Sequence, residues 1–426
     1  MQLKWGLPAS RAEAPVVPTS EGRWMSVSER QAPRVALRSR RGLAVSAGVS
    51  CACVLCACGT SDVPVLLAPS GADAQATAPR PPALGTLGEY CAGSGPPALV
   101  ASLADGGLVS TCPSQLAGGA LRYALCTCGS VTSDHAIVTD AFDGSRRAYG
   151  PSTAFAGGSV GVDGALHPTG LLQIGGSLWA SAPTDITTSA VQIAGELHAE
   201  GEIHPAPTLS VEEDAWMAGG IQTTGDVTVK GALHVPSGSP IDVTGTRSFG
   251  VPNAAPFHVA PPCDCAPNDI VGVAGVVATY LAHNDDAALG IDPTMLENVQ
   301  SDVAMTLPCG RIFFTRIGAN VASIRLTVAR RVALFVGGDL SVADFEIDAP
   351  PGAEVDLFVS GSVSVRGAFR VGDASNQAGA RTYVGGPGVN LQGAATLAGS
   401  LYAPGSVLTL GASAPTTVYG SIFASS

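Results

Sequence analysis

The sequence predicts an all-β protein, a parallel β-solenoid (β-helix) with a cysteine-containing N-terminal cap and a small central helical insert. Two observations predict this class: a short pattern that recurs along most of the chain, and a composition with few charges and many glycines. Of the 426 residues, 53 are glycine, 13% are charged and 5% are aromatic. A chain of this length usually holds two or three domains.

The recurring pattern spans eight residues and reads apolar, variable, apolar, variable, usually Gly, variable, apolar, and a last residue that is often His or Trp. Its copies are VGVDGALH from Val160, LQIGGSLW from Leu172, VQIAGELH from Val191, LSVEEDAW from Leu209, VTVKGALH from Val227, LFVGGDLS from Leu334, LFVSGSVS from Leu357, TYVGGPGV from Thr382, ATLAGSLY from Ala395 and TTVYGSIF from Thr416. Alternation broken by glycine is typical of short strands that end at bends. Units that mostly lie 18 to 25 residues apart predict one solenoid coil each.

The low charge of the chain agrees with stacked coils. Equivalent residues in adjacent coils lie ~4.8 Å apart, so ladders of like charges would repel. A β-sandwich with glycine-rich turns is the alternative, but the in-register recurrence of the same residue types favours the solenoid. We therefore assign β-solenoid repeats to residues 151–250 and a C-terminal β-solenoid to residues 311–426. We expect Gly231 and Gly361 to lie at bends that reject a side chain.

Residues 251–310 interrupt the two repeat arrays and form the predicted insert. Two helices are predicted there, the first capped by Asn268 or Asp269 and the second begun by Asp292 and Pro293. Their apolar faces consist of Ile270, Val273, Val277 and Leu281 in the first helix and of Met295, Leu296 and Val299 in the second.

Seven cysteines are candidates for disulfide bonds: Cys91, Cys112, Cys126, Cys128, Cys263, Cys265 and Cys309. Four of them lie in residues 89–150, a region without repeats that we expect to cover an open end of the solenoid. In an exported protein disulfides are the default, although seven cysteines cannot all pair within one chain. Pairs between the cap and the insert would fasten these regions together. The two Cys-x-Cys motifs could instead form a four-thiolate zinc site, but their spacing is tighter than usual.

Four further cysteines, Cys51, Cys53, Cys56 and Cys58, follow an arginine-rich stretch and an uncharged one. A basic region, an apolar region and a small residue before the cut are typical of a secretory signal. Residues 55–58, LCAC, resemble a bacterial lipobox, so we expect Cys58 to be acylated and to become the first mature residue. A membrane anchor across residues 42–61 and a metal or disulfide cluster are the alternatives.

The lipobox resemblance divides the beginning of the chain into three segments. Residues 1–24 are expected to be mistranslated upstream sequence, because Met25 is the better start for a signal. Residues 25–57 are the expected lipoprotein signal peptide, and residues 58–88 are a Pro/Ala/Gly tether. Two or three acyl chains on Cys58 would hold the protein at a membrane. The expected location is the bacterial outer membrane or cell surface.

The charge distribution argues against nucleic-acid binding. The net charge is −12, and residues 1–58 carry eight Lys/Arg against three Asp/Glu, so the remainder carries 14 against 31. Lys230 is the single lysine of that remainder. Phosphate contacts need clustered cations, and we therefore expect no nucleic-acid partner. No motif indicates a cofactor.

From about Cys91 to its end, the chain resembles a family of uncharacterised bacterial surface lipoproteins with a β-helical domain. The motifs that carry this resemblance are ALCTC, TDAFD, PPCDCAP, LPCGR, ALFVGGDLS, PGAEVDLFVSGSV and LAGSLYAPGSV. The ending SLYAPGSVLTL…VYGSIFA is similar to the closing coils of pilus-associated and polymer-forming β-helical proteins. The resemblance implies a β-helical fold and a surface location, and it brings no established reaction.

Three further features suggest binding or catalysis. His167, His198 and His234 end their repeats and alternate with Trp179 and Trp216, which predicts a stacked ladder for packing or a metal- or sugar-binding ladder. The loop with Asn284, Asp285, Asp286 and Asp292 offers oxygen ligands for calcium, although a solvated loop with a helix cap explains it as well. The triplet Glu212, Glu213 and Asp214 could supply paired carboxylates, but such residues at a bend usually face solvent.

Together these features predict a non-enzymatic, lipid-anchored surface solenoid that acts as a structural or adhesive element of the envelope. The alternative is a polysaccharide-binding or polysaccharide-cleaving β-helix protein. A cleaving enzyme needs carboxylates and cations that converge on one groove, and the arginines show no such clustering. The expected partners are the membrane through the lipid anchor, and envelope polysaccharide or other surface proteins.

Overall fold

The computed structural model describes residues 2–6, 85–93, 99–101, 108–110, 120–141, 149–150, 157–182, 190–204, 207–267, 270–377, 379–411 and 414–426. Cys58, Cys112 and the two candidate cap residues Asn268 and Asp269 lie outside the described residues. The predictions made for them are therefore not addressed by the fold. In the described part of the chain, no helix is long and apolar enough to cross a membrane.

The elements of the N-terminal part are short strands with few helical turns. They are β1 Gln2–Gly6, α1 Leu87–Cys91, β2 Leu99–Ala101, β3 Leu108–Ser110, a 3-10 helix Ala120–Arg122, β4 Leu125–Thr127, β5 Val131–Ser133, β6 Ala136–Asp140, β7 Val160–Val162, β8 Leu166–Pro168, β9 Leu172–Ile174, β10 Leu178–Ala180, β11 Val191–Ile193, β12 Leu197–Ala199, β13 Thr208–Val211, β14 Ala215–Met217, β15 Ile221–Thr223, β16 Asp226–Val229, β17 Leu233–His234, β18 Ile241–Val243 and β19 Arg247–Ser248.

The C-terminal part begins with two helices and continues with longer strands. Its elements are α2 Val273–Leu281, α3 Asp286–Leu289, β20 Val303–Leu307, β21 Gly310–Phe314, β22 Ile317–Val328, β23 Arg331–Val336, β24 Leu340–Asp348, β25 Glu354–Val359, β26 Val363–Val365, β27 Phe369–Val371, β28 Ala380–Val384, β29 Gly388–Leu391, β30 Ala395–Leu397, β31 Gly399–Ala403, β32 Val407–Leu410, β33 Thr416–Tyr419 and β34 Ile422–Ala424.

The strands stack as a parallel β-solenoid with three faces, as the sequence predicted. Face A contains β6, β9, β11, β13, β16 and β19 from the N-terminal coils and β27, β30 and β33 from the C-terminal coils. Face B contains β5, β8, β15 and β18, and β26, β29 and β32. Face C is a sheet of twelve strands in the order β17-β14-β12-β10-β7-β4-β34-β31-β28-β25-β23-β21. At ~4.8 Å per strand, face C is about 50 Å long.

The order of the coils in the stack differs from their order in the chain. The last strand, β34, pairs in parallel with β4, so that Ile422 lies beside Leu125 and Phe423 beside Cys126. The C-terminal coils therefore form the lower half of one continuous solenoid, and the N-terminal coils form its upper half. The two repeat arrays are joined by stacking, because the free edge of one parallel coil fits the free edge of another.

On face A the two halves are separated by one additional strand. β1 lies antiparallel between β6 and β33, with Leu3 beside Thr139 and Val418. The expectation that residues 1–24 are upstream sequence stays a prediction. If it is correct, or if the chain is cut before Cys58, then β6 and β33 lose this partner.

The interior of the solenoid is built from the alternating apolar positions of each strand. In β11 and its neighbours, Val191 lies between Leu172 and Leu209, and all three are almost completely buried. Successive side chains of a strand point to opposite sides, so the variable positions face outwards. Recurrence in register thus produces continuous aliphatic ladders inside the coils.

The corners confirm the two glycines that the repeats single out. A Cβ atom at Gly231 would lie against Asp214 Oδ1, and one at Gly361 against Asp339 Oδ1. The same carboxylate oxygens accept the backbone N–H of the following residues, Ala232 and Ser362, both at 2.8 Å. Each aspartate thus links one coil to the next through space that only glycine leaves open.

The prediction that residues 89–150 cover an end of the solenoid is wrong in position for most of the described residues. Residues 125–140 form an internal coil between the two halves. Among the described residues of this region, α1 lies at the lower end beside β21, and β2 packs against α2. The lower end is closed mainly by the insert, because Leu296 and Val299 pack into the core and Val299 N donates to Gly318 O at 2.8 Å.

The insert also differs from its predicted helices. The first helix, α2, begins after Gly272 and leaves Leu281 61% exposed. Residues 293–298 form consecutive turns instead of a second helix, and Asp292 Oδ1 accepts the backbone N–H of Thr294 at 2.8 Å. These turns pack against the lowest coil, so tertiary contacts override the local helix signal.

Candidate functional site

The outward side of face C carries one ladder of aligned side chains through both halves. From bottom to top its members are Phe313, Phe335, Phe358, Tyr383, Tyr402, Phe423, Cys126, Gly161, Trp179, His198, Trp216 and His234. Most neighbouring rings stack, with centroids 5.1 Å apart for Phe335 and Phe358 and 5.1 Å for Trp179 and His198. Parallel register places equivalent residues one strand spacing apart, which suits offset stacking.

A separate layer of the same chain covers this ladder. In the lower half α2 packs on it, and Tyr280 stacks on Phe335 with ring centroids 4.0 Å apart. In the upper half the chain returns downwards from residue 250 along face C, where Phe257 meets Trp216 edge-on at 5.4 Å. Phe335 and Phe358 are fully buried, and burial raises the pKa of Tyr383 above its usual range. The lower ladder is therefore a second core and no open platform for a ligand.

Among the described residues, two disulfides fasten the return segment to the coils and a third joins α1 to the lowest coil. Cys91 bonds to Cys309, Cys126 to Cys263, and Cys128 to Cys265. The predicted cross-links between the regions 89–150 and 251–310 are thus present. The first cysteine of one Cys-x-Cys motif bonds to the first cysteine of the other, and the second bonds to the second. Residue 126 lies in the ladder, and residue 128 lies at the corner that follows it.

Gly161 is the ladder position that lets the return segment approach. A Cβ atom there would lie 3.1 Å from Cys126 Sγ and 3.2 Å from Pro262. The sequence pattern did not single out this glycine, because it occupies a variable position of the repeat. Its only sequence signal is a glycine between strand residues of high β propensity, which often marks a close approach of another backbone.

The histidines and tryptophans divide into two groups. His198 and His234 alternate with Trp179 and Trp216 in the ladder, and the packing interpretation is confirmed for these four. His167 does not belong to the ladder, because it lies on β8 of face B beside Thr132. The repeat from Val160 turns the corner from face C to face B, whereas the repeat from Leu172 turns from face A to face C. Both corners have the same sequence pattern, so the pattern alone misplaced His167.

The acidic triplet lies at the corner between β13 and β14. Glu212 forms an ion pair with Lys230 of the next coil, and Asp214 accepts the backbone N–H of Ala232. Glu213 is exposed. No cation lies near these residues in the sequence. The stacking of coils brings Lys230, 18 residues further along the chain, next to Glu212. Two of the three carboxylates thus have structural partners.

The four residues of the acidic loop do not converge on one point. Asp285 binds Arg311 through two hydrogen bonds of 2.8 and 2.9 Å, and Asp286 accepts the backbone N–H of Phe313 at 3.1 Å. Asn284 caps the carbonyls at the end of α2, and Asp292 binds Thr294. Within the described residues no cluster of His, Cys, Asp and Glu has the arrangement of a metal site.

Burial changes the acidity of one carboxyl group in this loop. Desolvation raises the pKa of Asp286 to about 6, although its hydrogen bond from Phe313 acts in the opposite direction. The side chain sits where α3 meets β21, so its function is to fix this loop to the lowest coil.

Two ion-pair groups on the lower half were not predicted. On face A, Glu346 and Asp348 of β24 each form ion pairs with Arg325 of β22 on one side and with Arg370 of β27 on the other. On face C, Arg381 binds Asp356, which is 2% exposed. Burial alone would lower the pKa of the Arg381 guanidinium, but Asp356 and Glu354 offset it, and the net change is a raised pKa. Opposite charges in adjacent coils attract each other and stabilise the stack. Which charged residues become neighbours depends on the register of the strands, and the sequence alone does not give this register.

A groove lies on face B where the two halves meet. It is bounded below by β32 and above by β5. Its lining consists of Leu125, Thr127, Ser130, Val131, Thr132, Ser133, Asp134, His135, Leu408, Leu410 and Ser426.

In the comparison with known proteins, one family model matches part of the chain, in the lower half. Residues 296–426 match the model of a domain of unknown function, DUF7305. The match begins in the turns that close the lower end and finishes with the last residue. It therefore covers the C-terminal coils together with the turns that close their lower end. No curated protein and no solved structure matches the chain.

Proposed function

We propose that this protein is a non-enzymatic, exported solenoid that is attached by lipid to the bacterial outer membrane or cell surface and acts as a structural or adhesive element of the envelope. Cys58 carries the lipid, and residues 58–88 connect it to the solenoid. The observation that best supports export is the set of three disulfides between the coils and their cover. Such bonds persist in oxidising compartments and are rare in the cytosol.

The covered ladder supports a structural role. Aromatic rings aligned along a sheet can bind flat ligands, but here the helix α2 covers the lower ladder and the return segment contacts the upper ladder. What remains exposed is the outer surface of a rod about 50 Å long. A rigid rod on a tether is suited to span or connect envelope layers.

The engaged carboxylates support a non-enzymatic role. Glycoside cleavage needs two carboxyl groups that face each other across a substrate. In the described part of the chain, the acidic loop and the corner triplet hold backbone N–H groups and cations instead. The proposal therefore uses these residues as links between coils.

Acylation is tested with the full chain produced in a bacterium. Intact-mass analysis should show a mature N-terminus at Cys58 with two or three acyl chains, and the protein should sediment with membranes. Cys58→Ala should leave unprocessed precursor. A Cys58→Ala protein that is still cut before residue 58 and lacks lipid would refute the anchor.

Polysaccharide binding is the second candidate, and one observation favours it. Face A of the upper half presents amide and hydroxyl groups in register, from Gln173, Gln192, Ser210 and Thr228. Such groups hydrogen-bond sugars, and their spacing repeats along the rod. Binding on a glycan array that Gln173→Ala together with Gln192→Ala removes would support this candidate. Cleavage that Glu212→Gln, Glu213→Gln and Asp214→Asn abolish together would support an enzyme.

A further inference from the structure

The two ends of the solenoid are closed in different ways. At the lower end, the turns of residues 293–298 pack against the lowest coil. At the upper end, the highest coil consists of β17, β18 and β19, and none of the described strands lies above β18 or β19. Above β17, Asn253 N donates to Leu233 O at 2.8 Å and Asn253 O accepts from Val235 N at 3.0 Å. In the described part of the chain, the upper end therefore keeps two open strand edges, on faces A and B.

Arg247 occupies an inward position of this highest coil. It lies in register beside Val227, which is 1% exposed inside the core. The ladder below it on face A consists of aliphatic residues only, namely Ile137, Leu172, Val191, Leu209 and Val227. Successive residues of a strand point to opposite sides, so the next residue, Ser248, points outwards. A charged residue thus ends a ladder of aliphatic ones.

The guanidinium of Arg247 folds over the top of the coil. Its Nε donates to Val243 O at 2.9 Å, and its Nη2 donates to the same oxygen. Thr244 N donates downwards to Thr223 O, and alternate residues of a parallel strand bond to opposite neighbours, so Val243 O belongs to the open edge of β18. Val243 itself is 2% exposed. One side chain therefore covers the core and occupies an edge acceptor.

The junction between the two halves shows how a coil edge behaves without such a charge. There β34 pairs with β4, and Ile422 lies beside Leu125 at an inward position. Both residues are at most 4% exposed, so the two edges bury each other. The upper edges of β18 and β19 offer backbone groups of the same kind. What differs at the upper end is the inward residue Arg247.

A second coil stacked on the upper end would enclose this charge. The residues that share the end with Arg247 are apolar and lie in or against the core: Leu233, Val235, Ile241, Val243 and Phe249. None of them can neutralise a guanidinium, and burial of an unpaired charge is strongly unfavourable. Inward-pointing charges on edge strands are a known means of preventing edge-to-edge pairing.

We propose that the upper end of the rod is a stacking surface for a second copy of this chain and that Arg247 keeps this surface closed. The lower end is covered by turns, so a second copy meets the open edges with its own upper end. Such a contact uses the same residues on both copies and closes as a dimer. A two-fold axis through face A places the two β19 strands antiparallel, and face A accepts an antiparallel strand at the junction, where β1 pairs with β6 and β33.

Light scattering of the full chain tests the proposal with three single substitutions. Arg247→Val removes the charge and places a β-branched residue at the end of the aliphatic ladder. Arg247→Met removes the charge but keeps an unbranched stem over Val243, so it tests the proposal if Arg247→Val impairs folding. Ser248→Val adds an apolar residue on the outward side of the same strand and is the matched control. All variants are compared with the parent protein in the same detergent, so association through a lipid contributes equally to each.

The parent protein and Ser248→Val should keep the same mass at every protein concentration. Arg247→Val and Arg247→Met should approach twice that mass as the concentration rises, because the two upper ends can then stack. In these dimers the amides of residues 241–248 should exchange with solvent more slowly than in the parent protein, since the edges of β18 and β19 become paired.

Four outcomes would overturn the proposal. Folded Arg247→Val and Arg247→Met proteins that keep the mass of the parent would show that the charge does not block association. Equal association of Ser248→Val would attribute the effect to added apolar surface. Slower exchange at residues 303–307 instead of 241–248 would place the contact at the lower end. A parent protein that itself dimerises through residues 241–248 would show that Arg247 leaves the surface open. None of these measurements reports acylation or ligand binding, so their failure is distinguishable from failure of the proposed function.

Discussion

The lower and upper halves of the solenoid share one coil geometry but differ in how face C is covered. In the lower half the strands of face C reach six residues, as in β23 and β25, and the ladder consists of Phe and Tyr under a helix. In the upper half β10 and β12 have three residues, and the ladder consists of Trp and His. There the cover is an extended segment.

This difference shows what determines the choice of ladder residues. An apolar helix can bury rings on all sides, so Phe335 loses all contact with water. An extended segment covers less surface, and rings with polar atoms can stay partly exposed, as the 21% exposed side chain of His198 does. The extended cover buries less apolar surface, and two disulfides, Cys126–Cys263 and Cys128–Cys265, fasten its lower end. Disulfides typically contribute ~2–4 kcal/mol by constraining the unfolded chain.

Truncation of a ladder ring in each half is the strongest test of this comparison. Phe335→Ala should lower the free energy of unfolding by about 3–5 kcal/mol, because it leaves a cavity between the sheet, Tyr280 and Phe358. Trp216→Ala should cost less, since its ring is only partly buried. Denaturant unfolding followed by circular dichroism measures both. Equal losses would show that the two covers bury their ladders equally well.

The fold class and most coil strands could be predicted, because inward residues recur in register and each pattern contains its own bend. The order of stacking could not. β34 and β4 pair through backbone groups that any free coil edge offers. The side chains at this pairing, such as Phe423 beside Cys126, do not mark these two strands as partners. The sequence pattern also does not show which two faces a corner joins, and for this reason His167 was assigned to the wrong face. At the candidate sites, cross-links between the two cysteine-containing regions could be expected from the cysteine content and the predicted export, whereas Gly161 and Lys230 acquire their contacts only through stacking.

The acidic loop below the lower half should make stability depend on pH. Burial raises the pKa of Asp286 to about 6 in the folded protein, against an ordinary value of 3.8. The folded state therefore holds a proton that the unfolded state releases between about pH 4 and pH 6, and stability decreases as pH rises through this window and is constant above it. Asp286→Asn should remove the contribution of Asp286 to this slope, so the decrease in stability with pH should be smaller than in the parent protein. The comparison is made by denaturant unfolding at pH 4.5 and pH 7.

Asp285 is the neighbouring control for this pH dependence. It forms an ion pair with Arg311, so Asp285→Asn should destabilise the protein. It should keep most of the slope between pH 4 and pH 6, because burial raises the pKa of Asp286 more than the charge of Asp285 does. A pH dependence that Asp286→Asn leaves the same as in the parent protein would contradict the assignment to Asp286.

Corner glycines give a smaller effect that should be the same in both halves. Gly361→Ala and Gly231→Ala should each cost about 1–3 kcal/mol, because the new Cβ displaces the aspartate and strains the adjacent backbone. At Gly361 the backbone of residues 338 and 339 lies 2.8 Å from the Cβ position. Gly405→Ala is the control, since nothing lies within 4 Å of its Cβ position. Melting temperatures decide, and an unchanged value for Gly361→Ala would exclude the corner contact there.

The smallest effect comes from surface ion pairs, and it should again differ between the halves. Lys230 has one described partner, Glu212, and is 60% exposed in its side chain. An isolated exposed pair contributes ~0–0.5 kcal/mol, because solvent screens it and two long side chains must be ordered.

Arg370 instead joins Glu346 and Asp348, which also bind Arg325, and networks of several charges stabilise more than single pairs. Lys230→Ala should therefore leave the unfolding midpoint almost unchanged. Arg370→Ala should lower the free energy of unfolding by about 1 kcal/mol, because it removes one of the two cations that neutralise Glu346 and Asp348. High salt should reduce the Arg370→Ala effect. A larger loss for Lys230→Ala than for Arg370→Ala would mean that coil-to-coil charge pairing, and not only glycine corners and aliphatic ladders, holds the upper half together.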